Sequence, residues 1–170
     1  MRRTALACLC LIVPFAIADT PAPPRDCTAE GFHRLDYWIG DWNVTTPDGK
    51  PAGRNRIERE LGGCALLEHW TGFDEQGAVN QHGLGVHRYD RVTDHWLQAW
   101  TFDTGDTYDL VGHLEGARMI YDHVARKPGP KRRSTLEPLP DGRVEQKGER
   151  WDEASQRWET AFHLLYSHAP

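Results

Sequence analysis

Turn signals recur along the chain from Gly40 onward, and their spacing constrains the fold more than any other feature. The segments between them are about 8–12 residues long, which is typical of hairpins in an antiparallel sandwich or barrel. The signals are short runs rich in Gly, Pro and Asp, at residues 47–49, 62–63, 74–77, 104–106, 115–116, 128–129 and 140–142. Helical periodicity is confined to residues 31–39. The sequence therefore predicts an all-β domain with a short N-terminal helix.

Alternation along the strands assigns one face of each strand to the interior of the domain. Successive strand residues point to opposite faces, and large rings share a face with a few polar side chains. Because closure of the sheet leaves no exposed strand edge, the pattern favours a single antiparallel barrel of about 8–10 strands. The residues predicted to line its interior are Glu68, Trp70, His87, Trp96, Gln98, Trp100, Gln146 and Phe162.

The first eighteen residues have the three parts of a secretory signal peptide. Arg2 and Arg3 precede an apolar run that ends at Ala18 with the sequence A-I-A. We predict cleavage after Ala18, because the run is shorter than the ~20 apolar residues of a membrane span. The arm of residues 19–30 contains three prolines and is predicted to be extended. The domain then spans residues 31–170, in a secreted or periplasmic protein without a membrane span.

Cleavage changes both the cysteine count and the charge of the chain. Cys27 and Cys64 are the two cysteines that remain, and two cysteines in an exported protein indicate one disulfide. Two free, buried thiols are the alternative. The net charge of −5 becomes −7 when the two N-terminal arginines are removed. Because phosphate contacts need clustered Lys and Arg, we expect no nucleic-acid partner.

Several motifs together resemble a known family. The triplet G-D-W at residues 40–42 is similar to the G-x-W motif of lipocalins and other calycins. The longer pattern resembles the bacterial secreted domain-of-unknown-function 1579 family over about residues 32–167, and its segments read L-D-Y-W-I-G-D-W, L-G-G-C, E-H-W-T-G and W-L-Q-A-W. This resemblance implies a lipocalin-like barrel with no established activity. It also implies a disulfide between a cysteine before the opening motif and the cysteine of Gly-Gly-Cys.

The resemblance carries one further expectation and one departure. In lipocalins an arginine from a late strand stacks on the tryptophan of the G-x-W motif, which implies Arg150 or Arg157 over Trp42. The fourth strand of relatives in the family reads G-x-S-x-N-x-Y-D, whereas residues 83–90 read G-L-G-V-H-R-Y-D. Gly85 and His87 thus replace a hydroxyl and an amide, which puts pocket chemistry shared with the family in doubt.

The predicted interior holds a carboxylate, Glu68, that needs a partner there. Its candidate partners are His87, Gln98, Arg133 and Gln146. We interpret polar groups among aromatic walls as a site for a small, apolar or amphipathic ligand. The second hypothesis is a barrel whose interior is filled by side chains, among them the seven tryptophans. Such a protein would act as a structural or interaction module of the cell envelope. The third hypothesis is an enzyme that uses Glu68 and His87 for acid–base chemistry.

The sequence predicts no cofactor, metal site or catalytic nucleophile. The spacings of the histidines match no metal motif, and no G-x-S-x-G sequence occurs. A haem held by one histidine is the alternative, with His69, His87 and His113 as candidates. The number of associating chains has no signal in the sequence.

Overall fold

The computed structural model describes residues 27–170, and ten antiparallel strands in this range close into one barrel. Each strand pairs with the next along the chain, and the first also pairs with the last, with Trp42 opposite His168. The strands are β1 (Gly40–Thr45), β2 (Pro51–Glu60), β3 (Ala65–Phe73), β4 (Val79–Asp90), β5 (His95–Phe102), β6 (Thr107–Glu115), β7 (Arg118–His123), β8 (Arg132–Pro138), β9 (Val144–Asp152) and β10 (Arg157–His168). The predicted all-β barrel is confirmed.

The turn signals of the sequence locate seven of the nine connections between strands. The other two, between β4 and β5 and between β9 and β10, contain no glycine. In them Asp94 and Gln156 adopt left-handed φ values of 55° and 54°. Asp90 and Asp152 each accept a hydrogen bond from a backbone N–H of their own turn. Aspartate side chains thus stabilise the turns that lack glycine.

Two short 3₁₀ helices, Glu30–His33 and Asp36–Trp38, cover one end of the barrel. The helix expected over residues 31–39 is therefore present as two tight turns. Phe32, Leu35 and Trp38 are spaced three residues apart and are all buried. Leu35 and Trp38 belong to the hydrophobic core of the barrel, and the ring of Phe32 packs edge-on against Tyr89. We call this segment the plug.

The plug meets the opening motif at Trp42, but without the arginine that the lipocalin resemblance implies. The Trp42 ring stacks on His168 with a centroid distance of 3.9 Å. Its indole N–H donates to the carbonyl oxygen of Trp38 at 3.0 Å. Arg150 and Arg157 lie at the other end of the barrel, since β10 runs from Arg157 there to His168 beside Trp42. That expectation is wrong, and a histidine takes the place of the arginine.

Cys27 and Cys64 form a disulfide with a Cα–Cα distance of 5.1 Å, which confirms the predicted pairing. It joins the chain just before the plug to the turn between β2 and β3. Arg59, near the end of β2, fastens the plug to the same turn, because it donates to the carbonyl oxygens of Phe32 and Gly63 and pairs with Asp36. The disulfide indicates an oxidising, extracytoplasmic compartment.

The predicted signal peptide, its cleavage site after Ala18 and residues 19–26 of the proline-rich arm lie outside the described residues. They stay predictions. From residue 27 to residue 170, no helix has the length and hydropathy needed to cross a membrane.

Removal of both cysteines tests how strongly the disulfide stabilises the barrel. We predict that the double variant Cys27→Ser, Cys64→Ser loses about 3–4 kcal/mol of unfolding free energy, because the bridge closes a 37-residue loop in the unfolded chain. Urea denaturation followed by circular dichroism measures the loss. Reduced wild-type protein should unfold like the double variant, and an unchanged denaturation midpoint in either case would contradict the prediction.

Candidate functional site

The interior of the barrel has three layers, and the inward residues of β3 and β5 contribute one side chain to each. Leu66, Glu68 and Trp70 follow one another along β3, as Trp96, Gln98 and Trp100 do along β5. The lowest layer is an apolar floor that packs on the plug. The middle layer is polar and buried, with Asn55, Glu68, His87, Gln98 and Ser134 as members. The upper layer is aromatic and faces an open space.

Glu68 is the centre of a hydrogen-bonded cluster in the polar layer. Its carboxylate oxygens lie 2.5 Å from Nδ2 of Asn55 and 2.6 Å from Nε2 of His87. Nδ1 of His87 lies 3.0 Å from the hydroxyl of Tyr121. Glu68 is 2% exposed and His87 is fully buried. Because an unpaired carboxylate is costly to bury, these donors are what allow Glu68 to occupy the interior.

The contacts of Tyr121 indicate which nitrogen of His87 carries the proton. Burial raises the pKa of Tyr121 well above its usual value, so its hydroxyl keeps its hydrogen. In the part of the chain that the structure describes, its hydrogen-bond partner is Nδ1 of His87, and because a buried O–H needs an acceptor, we assign Nδ1 as that acceptor. Nε2 then carries the imidazole hydrogen and donates it to Glu68. In this arrangement the hydrogen bonds run from Tyr121 to Nδ1 of His87 and from Nε2 of His87 to Glu68.

Gln98 completes the cluster on the cavity side. Its amide nitrogen lies 3.0 Å from Nε2 of His87 and 3.4 Å from Oε2 of Glu68. The NH₂ group donates to the carboxylate of Glu68, so Gln98 is a further donor of the cluster.

A cavity of about 700 Å³ lies above the polar layer. Glu68, Gln98 and Gln146 line its inner end, where the hydroxyl of Tyr166 donates to Gln146 at 2.6 Å. Its walls carry the rings of Trp70, Trp100, Phe102, Tyr108 and Phe162. At the end opposite the plug the lining residues are exposed, and they are Arg132, Arg150, Glu159, Thr160 and Ala161. The cavity therefore reaches solvent at that end, which we call the rim.

Glycines on neighbouring strands keep this space open. Three of them are each paired with a ring-bearing residue, namely Gly83 with Phe102, Gly85 with Trp100 and Gly148 with Phe162. A Cβ atom at Gly85 would lie 3.0 Å from the Trp100 ring, and one at Gly148 would overlap the Phe162 ring. The rings therefore lie against the wall rather than across the lumen. A filled barrel predicts no cavity above roughly 300 Å³, so the structure disfavours that hypothesis.

Six of the eight residues predicted to bind a ligand line the cavity, namely Glu68, Trp70, Gln98, Trp100, Gln146 and Phe162. His87 and Trp96 lie beneath it, one under Glu68 and the other in the apolar floor. A ligand in the cavity would thus contact Glu68 but not His87. The acid–base hypothesis needs both groups open to solvent, so the burial of His87 counts against it.

Two partners proposed for Glu68 are engaged elsewhere, and the sequence analysis missed one partner of Glu68, Asn55, and one partner of His87, Tyr121. Arg133 pairs with Glu149 at 2.6 Å, and Gln146 accepts from Tyr166. Asn55 was missed although it shares one buried face of β2 with Gly53 and Ile57, and the residues between them are exposed. This alternation points Asn55 inward. Tyr121 lies in β7, where three consecutive residues are buried, so alternation carries no signal there.

The structure also places the histidines considered for a metal or a haem. Across residues 27–170, no group of three or more His, Cys, Asp or Glu side chains is arranged to hold a metal ion. His69 and His113 are on the outer surface, with 49% and 43% of their side chains exposed. Both ring nitrogens of His87 are within hydrogen-bond distance of other side chains. None of the three faces the cavity.

The fold and the site define a ten-stranded antiparallel β-barrel with an internal cavity that reaches solvent. No protein-family model and no curated protein matches this chain. The function is therefore argued from the geometry of the site.

The tautomer assigned to His87 can be tested by removing the hydroxyl of Tyr121. We predict that Tyr121→Phe lowers the unfolding free energy by about 1–3 kcal/mol, because it leaves Nδ1 of His87 buried without a donor. Chemical denaturation measures this loss, and ¹⁵N NMR of the wild-type protein should show a hydrogen on Nε2 of His87. Tyr108→Phe, at the cavity wall, is the control and should change stability little. An equal effect of the two substitutions would contradict the assignment.

Proposed function

We propose that the protein binds a small, partly apolar ligand inside the barrel, outside the cytoplasm. The observation that carries the proposal is the cavity of about 700 Å³ with aromatic walls and a few polar groups at its inner end. Small-molecule sites commonly have this composition and a volume of about 300–1,000 Å³. Trp70, Trp100 and Phe162 supply apolar contact, and Glu68 and Gln98 orient the polar end of the ligand.

His87, Trp96 and Gln146 have supporting roles in this proposal. His87 holds Glu68 in place from below, and Trp96 packs in the floor beneath Gln98. Gln146 lies at the inner end and is oriented by the hydroxyl of Tyr166. Since His87 is sealed beneath Glu68 and the lumen is not filled, ligand binding has more support than acid–base catalysis or a purely structural role.

We also propose that the chain is a secreted member of the domain-of-unknown-function 1579 family that its motifs resemble. The closed barrel and the Cys27–Cys64 bridge agree with the fold and the pairing that the resemblance implies. The disulfide agrees with export by the predicted signal peptide. Gly85 and His87, which depart from the family pattern, seat the Trp100 ring and support Glu68. The cavity thus depends on the positions where this chain differs from its proposed relatives.

A neutral, apolar fluorescent probe tests whether the cavity binds small molecules. We expect N-phenyl-1-naphthylamine to bind the purified wild-type protein with enhanced fluorescence. We predict that Gly148→Ala weakens this binding at least about fivefold, because the new Cβ atom overlaps the Phe162 ring and forces it towards the lumen. Gly129→Ala is the matched control, since a Cβ atom there meets nothing within 4 Å.

Two results would overturn the proposed function. One is the absence of probe binding to folded wild-type protein. The other is equal binding by the Gly148→Ala and Gly129→Ala variants, since the probe would then lie outside the cavity. Native mass spectrometry of protein purified from its natural source should in addition reveal a co-purified small molecule.

A further inference from the structure

The charges that line the cavity leave one carboxylate unbalanced at its inner end. Towards the rim, two arginine–glutamate salt bridges balance their own charges, Arg133 with Glu149 at 2.6 Å and Arg150 with Glu159 at 2.9 Å. Arg132 is exposed at the rim, where water and salt screen its charge. Glu68 is the charged residue of the lining that is buried at the inner end.

The neighbours of Glu68 bind it without cancelling its charge. His87 donates through Nε2 while its Nδ1 accepts from Tyr121, and Asn55 donates through an amide. The Oδ1 atom of Asn55 has no hydrogen-bond partner among the residues described, so a second acceptor lies buried beside the carboxylate. Burial and the charge of Arg132 lower the pKa of His123, so this lining imidazole is neutral at neutral pH. The electrostatic potential at the inner end of the cavity is therefore negative.

Two indole rings flank this carboxylate on the cavity side. Trp70 lies two residues beyond Glu68 on the same face of β3. Trp100 packs over Gly85, which is the β4 residue paired with Glu68. Both rings line the cavity together with Glu68. Indole is the aromatic group that best attracts a cation over its face, and such contacts strengthen when water is excluded.

We propose that the ligand carries an organic cation, an amine or ammonium group, that docks on Glu68 between Trp70 and Trp100. This inference rests on the proposed function and names the chemical class of its ligand. The carboxylate supplies the charge partner, and the rings of Phe102, Tyr108 and Phe162 contact the apolar body of the ligand. A bare metal ion would find one carboxylate where calcium takes six to eight oxygen ligands. An anion would meet the repulsion of Glu68.

A matched set of three ligands separates charge from apolar contact. We choose 4-phenylbutylamine, 4-phenylbutanol and 4-phenylbutyrate, which share one apolar body and differ in the charge of the polar end. Titration calorimetry on the purified wild-type protein should show the amine binding about tenfold tighter than the alcohol, and the carboxylate binding weakest. A carboxylate that binds as well as the amine, or an alcohol that equals it, overturns the inference.

Substitutions then assign the preference to particular side chains. In Glu68→Gln the tenfold advantage of the amine should shrink to about twofold or less, while the affinity for the alcohol stays nearly constant. Trp100→Leu should weaken amine binding more than alcohol binding. Glu115→Gln removes a carboxylate that pairs with Arg118 outside the cavity lining and is the matched control, with the amine preference unchanged. If the amine preference persists in folded Glu68→Gln, the inference is overturned.

The outcomes distinguish this inference from the proposed function on which it rests. If N-phenyl-1-naphthylamine binds wild-type protein and the amine has no advantage, the cavity binds ligands but the cation assignment fails. If neither the probe nor any of the three ligands binds, the proposed function fails as well. Circular dichroism establishes that each variant is folded. Should Glu68→Gln not fold, the ranking on wild-type protein still decides the inference.

Discussion

The contact between an aromatic ring and a glycine on the next strand decides whether this barrel encloses any space. Glycine in a strand is unfavourable on its own, but a ring that packs over it recovers buried apolar area and fixes the position of the ring. The pairs Gly85–Trp100 and Gly148–Phe162 place these rings against the wall. The walls are therefore aromatic although the lumen stays empty of side chains, and the polar layer below becomes the inner end of a cavity.

The hydrogen-bonded cluster around Glu68 depends on contacts that join many strands. Asn55, Glu68, His87, Gln98 and Tyr121 come from β2, β3, β4, β5 and β7, and a shift of register by one residue in any of these strands would turn its member outward. Because each buried polar group needs its partner, such a shift would leave several groups unpaired at once. The cluster thus favours one register of the barrel while it holds Glu68 at the inner end of the cavity.

The sequence predicts this fold well where local signals act and poorly where distant residues meet. Glycine and proline mark seven turns, whereas the two turns stabilised by Asp90 and Asp152 lack them and are harder to recognise. Alternation places Glu68 and Gln98 inward, but the hydrogen bond from Tyr121 to His87 spans 34 residues and follows from closure of the barrel. The openness of the lumen was not predictable either, because it depends on which glycine faces which ring. The stacking of His168 on Trp42 likewise depends on how β1 and β10 meet.

The plug makes the two ends of the barrel different. Leu35 and Trp38 are fully buried beneath the floor, and the disulfide and Arg59 fasten the segment that carries them. Among residues 27–170, the plug closes the lumen at this end, and the cavity reaches solvent at the rim. A molecule that reaches Glu68 from the rim would pass the aromatic rings of the cavity wall on its way in, and it would leave by the same path. If the proposed ligand binds there, one molecule would have to leave the cavity before another could enter.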